Sequence, residues 1–498
     1  MSERFDAVII GAGEAGALIA NLAVDAGKRV ALVYREPYGS TCLNVGCVPS
    51  KYLIHRARVA HLVRTAERFG VHAGAPRVDL AAIVRAKKEM LDTHRRESFQ
   101  AAEGEERVTL VAGTARFRSA SEVAVGDRLL TAERIFIATG LRPTIPRIEG
   151  LDRVRYFTNE DLMDLPTVPP RLVVVGGGYV ACELGQAYAR FGSRVTIVQS
   201  RARLLPNEEP DVSEVLKDAF EREGIAVMLD HRAAHIEPGG DGFRLTVRSR
   251  EGDERSIEGS HLLLAAGRRP NTDDLDLDAA GVATDEKGFV RVDDGFETTA
   301  PGVFAAGDVL GKQPFTRVSQ EEARAAYANA FENAGVRLDR GSLGHAIFTD
   351  PEVGSVGMTE AAARDAGHDV AAGYVTFEQI TKADLIGETH GFIKYVVDKH
   401  TRRLLGAHVI GPQAADLLYA ATLLMKQQLP LDALATTVGI FPTLSEGIEG
   451  SARALLARLG STEKVTATSS HIACPECAAD FASAETIHRR REPTSHHD

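Results

Sequence analysis

Ala7-Val-Ile-Ile-Gly-Ala-Gly-Glu-Ala-Gly16 decides the fold. A short apolar run bounded by glycine reads as a buried strand. It leads straight into Gly11, Gly13 and Gly16, spaced G-x-G-x-x-G. An apolar helical stretch, Ala17–Ala26, and a second strand, Val30–Tyr34, follow. In that order the glycines let the backbone approach a pyrophosphate laid on a helix N-terminus. Such units place an acid near the end of the second strand to bind the adenosine ribose. Tyr34 stands there instead, 23 residues after Gly11, and Glu36 is the nearest carboxylate and the residue expected to serve.

The pattern recurs. Arg171-Leu-Val-Val-Val-Gly-Gly-Gly-Tyr-Val-Ala-Cys-Glu183 repeats it as G-x-G-x-x-A at Gly176, Gly178 and Ala181. Its second strand, Arg194–Gln199, puts Gln199 again 23 residues after the first glycine, with Arg201 and Arg203 beyond. A carboxylate there would favour a free ribose hydroxyl. Gln199 with two arginines favours a 2′-phosphate, hence NADPH over NADH, although NADH stays open. Two such sites suggest one tightly held dinucleotide and one that comes and goes. Three further strands end in glycine: Ile135-Phe-Ile-Ala-Thr139-Gly140, the segment Leu262–Asn271 with Gly267, and Thr298–Asp308 with Gly307. Asp308 could accept a hydrogen bond from a sugar or ribitol hydroxyl, though Gly-Asp after a strand is also an ordinary turn.

Between the first two strands and a pair of long helical stretches, about 51–68 and 79–103, lies Gly39-Ser-Thr-Cys-Leu-Asn-Val-Gly-Cys-Val-Pro-Ser-Lys51. Cys42 and Cys47 are five positions apart, ahead of a helix expected from about Val48-Pro49. As thiols they would lie near a helix N-terminus and beside Lys51, both of which favour thiolate. Spacing alone leaves two readings: a redox pair, or a structural disulfide or buried thiols.

At about 150 residues to a domain, 498 residues predict three to four. The net charge of −11 gives no pull toward nucleic acid or anionic membrane. No apolar run approaches the ~18 residues of a membrane-spanning helix, no signal-peptide pattern opens the chain, and the expected compartment is the cytoplasm. From about Gly344 the pattern turns α+β, with strands Phe392–Val397 and Leu404–Ile410 and a helix Ala414–Gln428, suited to a sheet on helices and a dimer surface. After Gly460 the sequence becomes polar and reads as a flexible tail. It carries Cys474-Pro-Glu-Cys477, His471 and His488.

With these motifs in hand, the chain resembles the pyridine nucleotide–disulfide oxidoreductase family over about residues 4–458. The resemblance implies an α/β fold with two Rossmann-like dinucleotide domains and a C-terminal α+β dimerisation domain. The expected segments are 1–150, 151–274, 275–343 returning to the first domain, 344–460, and the tail 461–498. FAD would occupy the first site and NAD(P)H the second, in a homodimer with an active site shared between subunits. Cys47 would be the thiolate nearest the flavin and Cys42 the exposed thiol that meets substrate. Lys51 and Glu183 would pair near the flavin, Tyr179 would move aside for nicotinamide, and Asp308 would bind the ribitol. Hydride would pass to the flavin, and electrons through Cys47 would open the disulfide.

One position breaks the pattern. Disulfide-reducing members close with His-Pro-x-x-x-Glu, the His acting as proton shuttle. Here the segment is Ile440-Phe-Pro-Thr-Leu-Ser-Glu446: Glu446 is kept, and Phe441 replaces the base. An aromatic there is similar to the mercuric reductase branch, which carries tyrosine, as are Phe315-Thr-Arg-Val-Ser and Thr349-Asp-Pro-Glu-Val-Gly. The expected acceptor is therefore Hg(II) or a related thiol-reactive electrophile. A disulfide reductase using another proton donor, and a flavin-bearing redox sensor, are the alternatives. Cys474 and Cys477 read three ways: a metal or electron relay, half of a zinc site with a tail histidine, or incidental residues. Cys182 reads as buried filler.

Overall fold

Strand Ala7–Ile10 is almost wholly excluded from solvent, as an apolar run without polar alternation requires when both faces of a sheet are covered. The computed structural model, which describes residues 2–460, places it at the centre of a five-stranded parallel sheet. The spatial order is Val303–Ala305, Arg134–Ile137, Ala7–Ile10, Val30–Tyr34 and Val108–Ala112. Helix Glu14–Asp25 buries Ile19, Ala20 and Ala23.

The second sheet, also parallel, runs Ala226–Met228, Arg194–Val198, Arg171–Val175 and His261–Leu264. An antiparallel meander, His231–Gly239, Gly242–Ser249 and Glu254–Gly259, accompanies it. The chain leaves and re-enters the first sheet through two short strands paired antiparallel, Leu141–Pro143 and Arg268–Pro270. Residues on both sides of the second sheet in sequence therefore build the first.

The long helices run Cys47–Arg64 and Leu80–Glu103. The former starts at the cysteine itself, earlier than the expected Val48-Pro49, because Gly46 serves as N-cap and leaves Cys47 as the first helical residue. Pro49 is tolerated in that first turn, where its N–H would be unpartnered anyway. Cys42 lies in a separate short helix, Thr41–Val45, capped by the Ser40 side chain.

These elements belong to one compact unit, residues 1–339; a second begins at Arg340. In the second, five antiparallel strands lie in the order His345–Ile347, Glu352–Gly357, Leu404–Gly411, Phe392–Asp398 and Val370–Thr376. Helix Ala414–Lys426 contributes Leu418, Ala421 and Leu424 to that unit's core, and helix Glu446–Arg458 contributes Ile448, Ala452 and Leu455. The former stops short of the expected Gln428, which takes a left-handed conformation (φ +52°) just past the end. Among the described residues, no helix is long and apolar enough to cross a membrane.

Candidate active site

Steric exclusion shapes the first glycine cradle. A Cβ on Gly11, at φ +114°, would lie 2.3 Å from the Ala138 carbonyl oxygen, and one on Gly16 would lie 1.8 Å from the Gly11 oxygen. Gly13 caps helix Glu14–Asp25 without any side-chain hydrogen bond, so first-turn N–H groups are left for an anion. A Cβ on Gly13 would meet only Ser40 Cβ, at 4.0 Å, so the backbone is open there. Thr139 Oγ1 is buried with no hydrogen-bond partner, and Gly140 turns at φ +65°. Asn271 staples that turn, donating from Nδ2 to the Thr139 carbonyl at 2.9 Å and from its backbone N–H to Gly140 at 3.0 Å. An uncapped helix end, an open glycine and an orphaned hydroxyl fit a dinucleotide. At the ribose end Tyr34 is buried against Tyr38 and Phe99. Burial, and then the adjacent carboxylate of exposed Glu36, raise the Tyr34 hydroxyl above its ordinary pKa.

The second cradle repeats the geometry. A Cβ on Gly176 (φ +125°) would lie 2.2 Å from Ala265 O, and Ala181 is fully buried. Gly178 caps helix Tyr179–Phe191 with no side-chain bond and with no atom within 4 Å of its absent Cβ. Gln199 directly follows the second strand of this unit. Its amide packs over Gly177 and donates to the Arg203 carbonyl at 3.2 Å, and the side chain is buried. It holds the loop that carries exposed Arg201 and half-buried Arg203. Gly267 (φ +116°) accepts from Thr144 N–H at 2.9 Å and shapes the crossing between the two sheets.

Cys42 and Cys47 are both free thiols, and each perturbs the ionisation of the other. The Cys42 hydrogen bond, then the Lys51 ammonium and the Thr316 hydroxyl, pull the Cys47 thiol down to about 6 against the opposing effect of burial. Donating that hydrogen bond, and burial, push Cys42 upward. The reduced pair is thus a Cys47 thiolate beside a Cys42 thiol. Cys42 is half-buried. Cys47 opens helix Cys47–Arg64, and Cys42 lies in the short helix preceding it.

Lys51, one turn along from Cys47, makes a two-pronged ion pair with Glu183, at 2.8 and 3.1 Å. Burial lowers the Lys51 pKa, but Glu183 and the two sulfurs outweigh it and the net shift is upward. Glu183 is 4% exposed, so removing either partner would strand a buried charge. Tyr179 begins the same helix as Glu183 and lies 5.9 Å from the Phe315 ring, centroid to centroid. Asp308 accepts from Arg268 Nη1 at 3.0 Å and from Ser319 Oγ at 3.2 Å. Cys182 is buried, its thiol 3.7 Å from the Gly177 carbonyl, and burial raises its pKa.

Sequence reading missed Thr316, whose Oγ1 lies 3.8 Å from Cys47 Sγ across 269 positions. It also missed Asn159, which donates to the Val45 carbonyl at the end of the Cys42 helix, and Arg268, the partner of Asp308. Only the fold brings these distant positions together. In the second unit Glu446 opens helix Glu446–Arg458 and accepts from Thr443 N–H at 2.9 Å, while Phe441 is 68% exposed. Cys474 and Cys477 lie outside the described residues.

Two dinucleotide cradles converging on a thiol pair define a pyridine-nucleotide-dependent flavoprotein. The chain matches the family model of the pyridine nucleotide-disulphide oxidoreductases over residues 5–330, and that of their dimerisation domain over 344–452. It belongs to this family of FAD-dependent enzymes that use NAD(P)H. Its relatives include the mercuric reductase of Streptomyces lividans, 37% identical over 90% of this chain and 96% of that protein. The dihydrolipoyl dehydrogenase of Haloferax volcanii is 35% identical over 89% of this chain and 94% of its own length. Among solved structures, the Cu(II) complex of the HOCl-induced flavoprotein disulfide reductase RclA from Escherichia coli aligns with a TM-score of 0.81 and 28% identity, covering 91% of this chain and 100% of that one.

Proposed function

We propose that the enzyme passes electrons from NADPH through FAD and the Cys42–Cys47 pair to Hg(II) or a related soft, thiol-reactive acceptor. The observation that carries this reading is the polarised thiol pair beside Lys51–Glu183, in a chain with Phe441 where a proton-shuttling histidine would stand. FAD, bound in the first cradle, supplies the two-electron step between nicotinamide and sulfur.

The chain's own residues do the rest. The N–H groups at Gly13 and Gly178 bind the two pyrophosphates. Tyr179 covers the nicotinamide site, and Lys51, fixed by Glu183, holds positive charge against Cys47. Cys47 is the internal thiolate and Cys42 the thiol that meets the acceptor. Soft thiolate sulfur suits Hg(II). Reduction of Hg(II) to the element takes two electrons from the dithiol, re-forms the Cys42–Cys47 disulfide and releases the Cys42 proton. Buffer thiolates displaced from the metal leave into solvent, and the reduced metal takes up no proton, so the missing base costs little there. Disulfide exchange does release a thiolate, and among the described residues of one chain the groups acting on the pair, Lys51, Glu183, Glu14 and Thr316, include no histidine. Arg201 and Arg203 favour the 2′-phosphate of NADPH. The partner subunit in a homodimer completes the acceptor site, and the cytoplasm is the expected compartment.

Steady-state NADPH oxidation by FAD-loaded protein, with Hg(II) in thiol buffer or with a panel of disulfides, tests the reading. Hg(II) turnover should exceed that with any disulfide. Phe441→His should raise disulfide turnover tenfold or more, in line with general acid–base catalysis, and leave Hg(II) turnover within about twofold. A wild-type enzyme that prefers dihydrolipoamide or another disulfide would overturn the assignment in favour of a disulfide reductase. Absence of turnover with every acceptor would favour the sensor.

A further inference from the structure

Glu14 is the first residue of the helix whose N-terminus forms the first cradle. A carboxylate there sits where a bound pyrophosphate would repel it, so its side chain needs another engagement. Both oxygens are taken by residues distant in sequence. Ser40 Oγ donates to Oε1 at 2.8 Å, and Gln320 Nε2 donates to Oε2 at 3.0 Å. Neither donor is a cation, so these contacts leave the negative charge uncancelled.

Both donors belong to elements that flank the thiol pair. Ser40 is the N-cap of helix Thr41–Val45, its Oγ accepting from Leu43 N–H at 3.0 Å while it donates to Glu14. Gln320 lies one turn after Thr316, the residue whose hydroxyl is 3.8 Å from Cys47 Sγ. Its own Oε1 accepts from Arg317 Nη1 at 2.9 Å, which fixes which end of the amide faces Glu14. One carboxylate therefore ties the dinucleotide helix to the Cys42 helix and to the helix that contacts Cys47.

We propose that Glu14 is a positioning residue for the redox pair, clamping the two elements that carry its contacts and setting the reduction potential of the Cys42–Cys47 couple through its fixed negative charge. The inference rests on the redox reading of that pair. Reduction breaks the sulfur–sulfur bond with two electrons and one proton and leaves Cys42 as thiol and Cys47 as thiolate. An uncharged bridge thus becomes an anion near a carboxylate, and Glu14 makes that change less favourable.

The test is redox equilibration of the FAD-loaded protein in buffers of reduced and oxidised dithiothreitol, followed by alkylation and mass spectrometry of the Cys42–Cys47 peptide. Turnover is not needed for the readout. Glu14→Gln should shift the equilibrium three- to tenfold toward the dithiol; tenfold is ~30 mV for a two-electron couple. Ser40→Ala removes the cap but keeps the charge, and should stay within twofold of wild type. Glu14→Gln within twofold of wild type, or an equal shift in Ser40→Ala, would overturn the proposal. If wild-type Cys42 and Cys47 never interconvert between dithiol and disulfide, the redox reading falls and this proposal with it.

Discussion

Cys47 gains its thiolate character from three neighbours, and they can be separated by mutation. The hydrogen bond from Cys42 is the largest influence, with Lys51 and Thr316 adding to it against the cost of burial. A depressed acid lends stability that is fully present above its unfolded pKa, near 9, and is lost as pH falls through the folded value near 6. Reduced wild-type protein should therefore show iodoacetamide modification of Cys47 rising with a midpoint near pH 6, and modification of Cys42 rising only at much higher pH. Lys51→Met removes one contribution and leaves the Cys42 hydrogen bond. The Cys47 midpoint should move up by about one unit, ~1.4 kcal/mol of lost thiolate stabilisation. An unchanged midpoint would mean that Lys51 serves Glu183 alone. The variant also leaves Glu183 buried without its ammonium, so a fall in melting temperature should accompany the shift.

At the scale of the element, the two cradles separate glycines that shape the fold from glycines that face a ligand. Gly16→Ala would drive a methyl group into the Gly11 carbonyl, since the Cβ would lie 1.8 Å away. Backbone cannot yield as a side chain can, so a loss of about 3 kcal/mol or more and poor retention of FAD are expected. Gly178→Ala meets nothing within 4 Å. Its melting temperature should stay near wild type, as an N-cap exchange of this kind costs about 1 kcal/mol or less. The KM for NADPH should rise about tenfold as the methyl crowds the pyrophosphate, and an unchanged KM would count against the second cradle as a nucleotide site. These elements were legible because their signals are local: a strand, three small residues and a helix within about ten positions. The cysteine-bearing segment was legible for the same reason. What escaped were contacts created by topology, such as Thr316 at Cys47 or Asn159 at Val45. The fold of the Gln199 amide into the slot left by the missing side chain at Gly177, holding the Arg203 carbonyl, was likewise invisible in the sequence.

On the scale of the whole molecule, the second unit leaves apolar surface that its own core does not use. Helix Ala414–Lys426 turns Leu418, Ala421 and Leu424 into the core, while Tyr419 and Leu423, one turn apart, are 73% and 51% exposed. Exposed apolar residues in such an arrangement mark an interaction surface, and this segment lies within the family's dimerisation domain. Tyr419→Glu with Leu423→Glu would place two like charges on that face at a spacing where they also repel each other. The helix keeps its buried stripe, so the double variant should fold with a far-UV spectrum like wild type and should run as a monomer in light scattering. If Phe441 and Glu446 complete the acceptor site from the partner subunit, the monomer should still accept electrons from NADPH into FAD in a single turnover. Steady reduction of the acceptor should fall about a hundredfold, the scale at which misplaced catalytic groups are felt. A dimer that survives both charges would move the interface elsewhere on the unit. A monomer with full acceptor turnover would place the whole reaction within one chain, and Phe441 would then have no bearing on which acceptor is reduced.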